Sequence, residues 1–384
     1  MVPLRKSLTR IFRNLIPPIF LWYINRIRYR LSHSPMSHKK LKQMENQLPK
    51  ELVKDLDHYL SSPDFDETSK YWKYLIHHHL KMISVNGIEN YGTSVAKHYF
   101  TWRYLNQSQL EKLMQSINSI SPLYKIQDGM TFNESIEHNL IVDLLHKYVT
   151  EQPQLHEILN SHKFIGFLDG NSPYIELGER KITQDLLNTV VEYEFYSRTF
   201  EDVDHPRVLE IGAGSGRTID LILNLHPSAK YVVVDIPPAS YLAKLRIQRA
   251  HPDAVIHSCR TGIELESLLD REDFNVVFIP PSLVCDLPDG YFDMMLAVDC
   301  LHEMKTETRI KYAELATRVS NFLYVKIWEN AYIPVDRERV DASDFARYGF
   351  SSNWKVLAQG NSVFPGTMYE YLFQIEDPDQ RAKI

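Results

Sequence analysis

Residues 206–235 read PRVLEIGAGSGRTIDLILNLHPSAKYVVVD, and this stretch decides the predicted fold. The run VLEI at residues 208–211 is mostly apolar and predicts a strand buried in a parallel sheet. Glycines at spacing two follow it, which lets the backbone turn sharply and approach a ligand closely. Apolar residues at helical spacing then predict a helix from about Arg217, and residues 231–234 predict a second strand that ends at Asp235. This order of strand, glycine turn, helix, strand and acid is typical of a nucleoside-binding unit.

The spacing of the glycines narrows the choice of nucleoside. Gly212, Gly214 and Gly216 form a Gly-x-Gly-x-Gly turn, whereas the dinucleotide fingerprint places its third glycine three residues after the second. Glu210 stands two residues before the first glycine. The pattern resembles motif I of the class I S-adenosylmethionine (SAM) methyltransferases. A glycine turn in another α/β protein, such as an NAD-dependent dehydrogenase, is the alternative that stays open.

This resemblance implies SAM as the cofactor and assigns roles to single residues. In that family the acid ending the first strand, here Glu210, lies near the methionine moiety, and the glycine loop passes under the cofactor. The acid ending the second strand, here Asp235, accepts both ribose hydroxyls, and Ile236 belongs to the same cofactor site. A carboxylate suits a ribose diol because its oxygens accept from both hydroxyls, whereas it would repel a 2′-phosphate.

Strands and helices continue to alternate after Asp235. Further strands are predicted at residues 255–257, 275–280, 292–299 and 321–328, and an antiparallel pair at residues 354–357 and 369–375. The predicted fold class is therefore α/β, a Rossmann-like class I methyltransferase sheet with a mainly helical N-terminal domain.

Three parts of the chain differ in composition. Residues 1–44 form a basic, apolar extension, residues 45–198 a mainly helical domain that could act as a substrate or cofactor lid, and residues 199–384 the SAM-binding domain. Predicted helices in the middle part cover residues 51–60, 69–83, 108–117, 133–149 and 183–197, the last of them capped by Thr183.

The N-terminal extension indicates a membrane surface rather than a membrane span. No acidic residue precedes Glu45, and the apolar run at residues 15–24 is too short to cross a bilayer. A basic, aromatic-bearing segment of this kind could lie on an anionic membrane surface, with a peripheral contact through residues 1–40. An extension that packs on its own domain is the alternative.

Charge and cysteine content argue against several classes of partner and structural site. A formal net charge of −6 argues against nucleic acid as the main partner. The cysteines Cys259, Cys285 and Cys300 form no CxxC pair, so neither a disulfide framework nor a cysteine zinc site is predicted. A cytoplasmic location is the expectation, and the basic extension could place the protein at the inner face of the membrane. The sequence does not indicate the oligomeric state.

A second chemical site is predicted just beyond the strand at residues 292–299, because ligands of open α/β sheets bind outside the carboxyl ends of the strands. His302 is the preferred general base, since its unperturbed pKa lies near neutral pH. Asp299 is the second choice, and Glu303 is expected to orient the histidine or bind a substrate hydroxyl. No metal site is predicted, although Asp299 and Glu303 could supply two oxygens to one. The alternative is a purely structural role, in which His302 and Glu303 cap the following helix.

Two longer runs narrow the resemblance. VVVDIPPASYLAKL at residues 232–245 and FIPPSLVCDLPDGYFDMMLAVDCLHEM at residues 278–304 resemble a bacterial family of sugar O-methyltransferases, over roughly residues 174–328. The resemblance implies methyl transfer from SAM to a sugar hydroxyl, in surface-polysaccharide or glycan biosynthesis. A methyltransferase for another small molecule, including an amine, and a non-catalytic SAM-binding partner in glycan assembly are the alternatives.

A run of three histidines and an aromatic-rich segment have unusual compositions, but neither indicates a particular function. His77, His78 and His79 are consecutive, and consecutive helical residues point 100° apart, so an ordinary helix with an exposed histidine is predicted there. Residues 91–103 are rich in aromatic and hydrogen-bonding side chains, which suits either sugar recognition or the rim of a core.

Overall fold

A computed structural model of the chain describes residues 35–96, 130, 132–161, 172–271, 273–333 and 338–375. Most of the basic extension, the helix predicted at residues 108–117 and residues 97–103 of the aromatic-rich segment lie outside the described residues. Among the helices that are described, none combines the length and the hydropathy that a transmembrane span requires.

The first half of the described chain is mainly helical, as predicted. Its helices are α1 (His38–Met44), α2 (Lys50–Ser61), α3 (Pro63–Glu67), α4 (Lys70–Asn86), α5 (Phe132–Glu151), α6 (Pro153–Ser161) and α7 (Gln184–Tyr196). A hairpin of β1 (Ile175–Leu177) and β2 (Arg180–Ile182) precedes α7. Thr183 caps α7 as predicted, since its hydroxyl accepts a hydrogen bond from the Leu186 amide at 3.1 Å.

The second half alternates between strands and helices. In chain order it contains β3 (Arg207–Ile211), α8 (Arg217–Leu225), β4 (Lys230–Val234), α9 (Ala239–Ala250), β5 (Ile256–Ser258), α10 (Gly262–Arg271), β6 (Val276–Ile279), β7 (Phe292–Val298), α11 (Thr306–Val319), β8 (Ser320–Trp328), β9 (Asn330–Ile333), β10 (Glu338–Asp341), α12 (Phe345–Tyr348), β11 (Lys355–Asn361) and β12 (Met368–Gln374). Each of the strands predicted from the sequence is present.

Those predicted strands form one eight-stranded sheet in the order β11-β12-β8-β7-β3-β4-β6-β5. The strands from β3 to β8 pair in parallel, and β12 runs antiparallel to both β8 and β11. The chain moves from β3 to β4 on one side and returns to place β7 on the other side of β3. The Rossmann-like α/β fold is therefore confirmed, with its topological switch point between β3 and β7.

Alternate residues of β3 pack into two different cores, one on each face of the sheet. Leu209 and Ile211 belong to one cluster, which α10 and α11 cover. Val208 belongs to the other, together with Leu187 and Val190 of α7. Burial of each such side chain contributes about 1.5–3 kcal/mol. Because α5, α6 and α7 share the second core with the sheet, the core continues across residue 198, and the predicted domain bounds stay a prediction.

Helices α1, α2 and α4 form a third core that rests on α9. Leu52 and Leu56 of α2 are fully buried there, and Tyr241 of α9 joins the same cluster. Two ion pairs lie at its edge, Glu51 with Lys244 at 2.7 Å and Asp55 with Arg260 at 2.5 Å. The N-terminal helices are thus held beside the carboxyl end of the sheet.

Gly212 allows β3 and β7 to meet closely at the switch point. Its φ is +72°, and a Cβ built on it would lie 2.7 Å from Cβ of Cys300, which follows β7. The Cys300 Sγ lies 3.1 Å from the carbonyl oxygen of Ile211. Glycine is therefore required at residue 212 both for the left-handed backbone and for the space.

Gly290 provides a matched control for this close approach, because its φ is +61° but no atom lies within 4 Å of an added Cβ. We expect Gly290→Ala to lower the free energy of unfolding by about 1 kcal/mol, the cost of the left-handed backbone. Gly212→Ala should cost about 1–3 kcal/mol more, because its methyl group overlaps Cys300. Urea unfolding of both variants measures the difference, and equal losses would contradict the close contact.

Candidate functional site

A cleft of about 1080 Å³ opens at the carboxyl ends of β3, β4 and β7. One wall contains the glycine turn at residues 212–215, Asp235 and Ile236, and the end of β7 at residues 298–300. Side chains of α3 and α4 form much of the other wall. The cleft thus lies at the topological switch point, where ligands of open α/β sheets bind.

Asp235 joins the end of β4 to the glycine turn. Its Oδ2 accepts a hydrogen bond from the Gly214 amide at 2.8 Å, and its Oδ1 accepts one from the Ile236 amide at 2.7 Å. Burial raises the pKa of Asp235 to about 7, against the opposing effect of these two backbone hydrogen bonds. Each oxygen keeps a further lone pair for a ligand hydroxyl.

Glu210 does not line the cleft. Its side chain is buried beneath the glycine turn, where Oε2 accepts a hydrogen bond from the Tyr231 hydroxyl at 2.8 Å. Burial raises its pKa to about 7. That Glu210 lies near the methionine moiety stays a prediction, and in this structure its carboxyl joins β3 to β4 from inside the core.

A buried carboxylate fixes the helix that follows the glycine turn. Arg217, the first residue of α8, lies with Nη1 2.5 Å from Oε2 and Nη2 3.0 Å from Oε1 of Glu192 on α7. Lys326 of β8 places Nζ 2.8 Å from the same Oε1. Burial alone would raise the pKa of Glu192, but the two cations outweigh it and the pKa is lowered.

Removal of Lys326 from the buried ion pairs of Glu192 should destabilise the protein. Lys326 also donates to the Phe364 carbonyl at 2.9 Å and lies 3.6 Å from Glu370, so Lys326→Met leaves two buried carboxylates without it. We expect a loss of about 3–5 kcal/mol in the free energy of unfolding at pH 7.

The control is Lys147→Met, which breaks an exposed pair with Glu151 at 3.8 Å and should cost at most about 1 kcal/mol. The gap between Lys326→Met and wild type should narrow as the pH falls, because protonation neutralises the stranded carboxyls. Chemical unfolding at pH 7 and pH 5 checks both points, and a pH-independent gap would contradict the ion-pair account.

Asp299 turns into the cleft at the end of β7. Its φ is +55°, a left-handed conformation that Asp tolerates better than most residues. The Trp328 indole donates to its Oδ1 at 3.3 Å, and the carboxyl keeps 28% of its surface exposed. Burial raises the pKa of Asp299 to about 7, partly offset by the nearby charge of Lys326. A carboxylate with this pKa can take a proton at neutral pH.

Glu303 lies on the same side of the cleft as Asp299. The indole of Trp72, on α4, hydrogen-bonds its carboxyl. Burial raises the pKa of Glu303 well above its usual value, and the charge of Asp299 raises it further. The two carboxyls therefore interact, and each is hydrogen-bonded by a neutral indole.

His302 does not line the cleft. It is 2% exposed, and its Nε2 lies 3.4 Å from Oδ1 of Asp299, yet neither ring nitrogen forms a hydrogen bond with the residues that the structure describes. Burial lowers its pKa to about 3, so the ring stays neutral at physiological pH. This geometry does not support His302 as the general base and favours Asp299, the second choice.

Helices α3 and α4 contribute side chains that the sequence did not single out for the site. Trp72 and His79, one heptad apart on α4, both line the cleft, and His79 is buried whereas His77 and His78 are partly exposed. Asp64 of α3 also lines it, and burial raises its pKa while hydrogen bonding from Ser282 lowers it. In the sequence, only the seven-residue spacing of Trp72 and His79 indicated that both side chains lie on the same face of a helix.

Within the described part of the chain, no group of three or more His, Cys, Asp or Glu side chains is arranged to hold a metal ion. Asp299 and Glu303 therefore have no third described ligand beside them.

Comparison with known proteins adds little to what the strand order already shows about the fold. No family model matches the chain, and no curated protein matches it. Among solved structures it is similar to a SAM-dependent methyltransferase of Aquifex aeolicus (14% identity, 48% of this chain and 89% of that one, TM-score 0.33). It is also similar to a SAM-dependent methyltransferase of Leishmania major (12%, 60% and 85%, TM-score 0.35) and to 1,6-didemethyltoxoflavin-N1-methyltransferase of Burkholderia thailandensis (17%, 49% and 79%, TM-score 0.32). At such identities and TM-scores the likeness carries no argument about activity.

The narrower resemblance to a sugar O-methyltransferase family finds no support in these comparisons and stays a prediction. The fold rests on the strand order, and the activity has to be argued from the cleft.

Proposed function

We propose that the protein is a SAM-dependent O-methyltransferase that methylates a sugar hydroxyl in surface-polysaccharide or glycan biosynthesis. One observation carries the proposal, namely that a single cleft contains Asp235 beside the glycine turn and the Asp299–Glu303 pair at the next strand end. The first group suits a nucleoside and the second suits the acceptor. SAM supplies a methyl group that its sulfonium already activates.

The residues of the glycine turn fit the nucleoside part of this cofactor. Both oxygens of Asp235 have lone pairs left after their backbone hydrogen bonds, so they can accept from the two ribose hydroxyls. Gly214 has a φ of +57° and no atom within 4 Å of an added Cβ, so the backbone is open to the cleft there. Ile236 adds an apolar surface beside Asp235.

The acceptor half of the cleft supplies the base. A sugar hydroxyl is a weak nucleophile, and a base must take its proton during attack. Asp299 is the group placed for this, because its carboxyl is partly exposed to the cleft and its pKa is near 7. Trp328 holds that carboxyl in position. Glu303 lies beside it and can bind a neighbouring group of the acceptor.

Cofactor binding is tested by calorimetric titration with S-adenosylhomocysteine (SAH). We expect micromolar affinity in the wild type and a loss of about 10- to 100-fold in Asp235→Asn, which removes charge-assisted hydrogen bonds to the ribose. Wild-type affinity should weaken as the pH falls below about 7, because protonation of Asp235 removes the charge. Asp253→Asn, an exposed acid, is the control and should bind as the wild type does.

Absence of SAH binding by the wild type would reject the proposal. Tight binding of NAD in its place would indicate a dehydrogenase instead.

Catalysis is tested with labelled SAM and a panel of sugar acceptors. Asp299→Asn should lower kcat by about 10²- to 10⁴-fold while SAH affinity is retained, since a general base contributes that much. The rate in the wild type should rise with pH through about 7, as Asp299 ionises. His302→Gln should lose much less activity, because the ring lies outside the cleft.

An inactive His302→Gln protein beside an active Asp299→Asn protein would restore the histidine as base. SAH binding without turnover of any sugar would favour a different small-molecule acceptor or a non-catalytic SAM-binding role.

A further inference from the structure

The acceptor half of the cleft contains two carboxyl groups, and the nearby charges of Lys326 and Arg217 offset the raised pKa of Asp299 only in part. Neither Asp299 nor Glu303 forms an ion pair with a Lys or Arg of the described chain, and their hydrogen-bond donors are the indoles of Trp328 and Trp72. A pair of interacting carboxyls in a partly enclosed site favours a ligand that brings positive charge.

The basic side chains that line the same cleft are engaged elsewhere. Lys311 pairs with Glu67 at 2.7 Å, and Arg318 pairs with Asp289 at 2.7 Å. Lys305 donates to the Asp66 carbonyl at 3.0 Å. Arg217 also lines the cleft, and it pairs with Glu192 at 2.5 Å. None of these four cations forms an ion pair with Asp299 or Glu303 in the part of the chain that the structure describes.

Asp64 is a third carboxyl of the cleft, and Ser282 satisfies only part of its hydrogen-bonding capacity. Asp64 lines the cleft from α3 and is 7% exposed, and its Oδ2 has no hydrogen-bond partner among the described residues. Buried carboxylate oxygens are almost always hydrogen-bonded in folded proteins. A donor on a ligand in the cleft, such as an N–H or O–H group, would satisfy this oxygen.

Aromatic side chains also line the acceptor half of the cleft. Trp72, Trp328 and Tyr71 line it together with the carboxyls. Aromatic rings attract cations and also pack on the apolar faces of sugar rings. Carboxyls without cationic partners, combined with aromatic rings, are suited to an organic cation.

We propose that the acceptor carries a protonated amine, bound by Glu303 beside Asp299, and is therefore an amino sugar rather than a neutral sugar. This inference rests on the proposed function and names its substrate class. The ammonium group binds to Glu303, while the hydroxyl to be methylated faces Asp299.

The raised pKa values of the pair predict how this recognition depends on pH. Burial raises the pKa of both carboxyls, that of Asp299 to about 7. Below about pH 7 Asp299 holds a proton, and a protonated carboxyl attracts an ammonium group weakly. Affinity for the amine should therefore rise between pH 6 and pH 7, whereas affinity for a neutral sugar should stay constant.

The test titrates the full-length protein, saturated with SAH, with glucosamine, N-acetylglucosamine and glucose at pH 7. We expect glucosamine to bind at least about 10-fold more tightly than either neutral sugar, since one ion pair in a partly enclosed site contributes that much. Glu303→Gln should abolish the preference. Glu67→Gln is the matched control, because it removes the same charge from the rim but leaves the carboxyl pair intact.

Each other outcome has a distinct meaning. Equal or undetectable binding of the three sugars by the SAH complex would overturn the inference and leave the cofactor site standing. A preference for glucosamine that survives in Glu303→Gln and Asp299→Asn would also overturn it, by placing the amine elsewhere. Failure of SAH itself to bind would reject the proposed function as a whole.

Discussion

Glu192 is the buried charge on which the arrangement of the cleft depends. Its carboxylate binds Arg217 on one side and Lys326 on the other, and so joins α7, α8 and β8. Arg217 is the first residue after the glycine turn, so the position of that turn follows from this contact. Buried ion pairs add little net stability, but once one partner is removed the other charge is stranded. The geometry of the turn is therefore maintained from inside the protein.

Most of the fold could be predicted because its strands are local patterns. The runs that form β3, β4, β6 and β7 are apolar on both faces, as strands in the middle of a parallel sheet must be, and such runs are visible in the sequence. The hairpins β1–β2 and β9–β10 could not be found in this way. Their strands contain three or four residues, several of them charged, which is too short for any periodicity to show.

The residues of the candidate site also differ in whether a local sequence pattern could identify them. Asp235 and Asp299 were identifiable because each follows a predicted strand, and parallel strands end at one edge of a sheet. The choice of His302 as base stays a prediction that its burial does not favour, and burial could not be read from the unperturbed pKa of a histidine. Trp72 and Asp64 lie more than two hundred residues from Glu303 and Ser282, so only the folded chain shows that they meet.

The two indoles that hold the cleft carboxyls also give the protein an optical signal of its own. The chain contains five tryptophans, and Trp72 and Trp328 each donate a hydrogen bond to a carboxyl of the cleft whose pKa burial raises, that of Asp299 to about 7. Indole emission responds to a charge placed at its N–H group. Trp354, in contrast, is buried among apolar side chains of the core. Ionisation of the site should therefore be readable as a change in fluorescence, without any label.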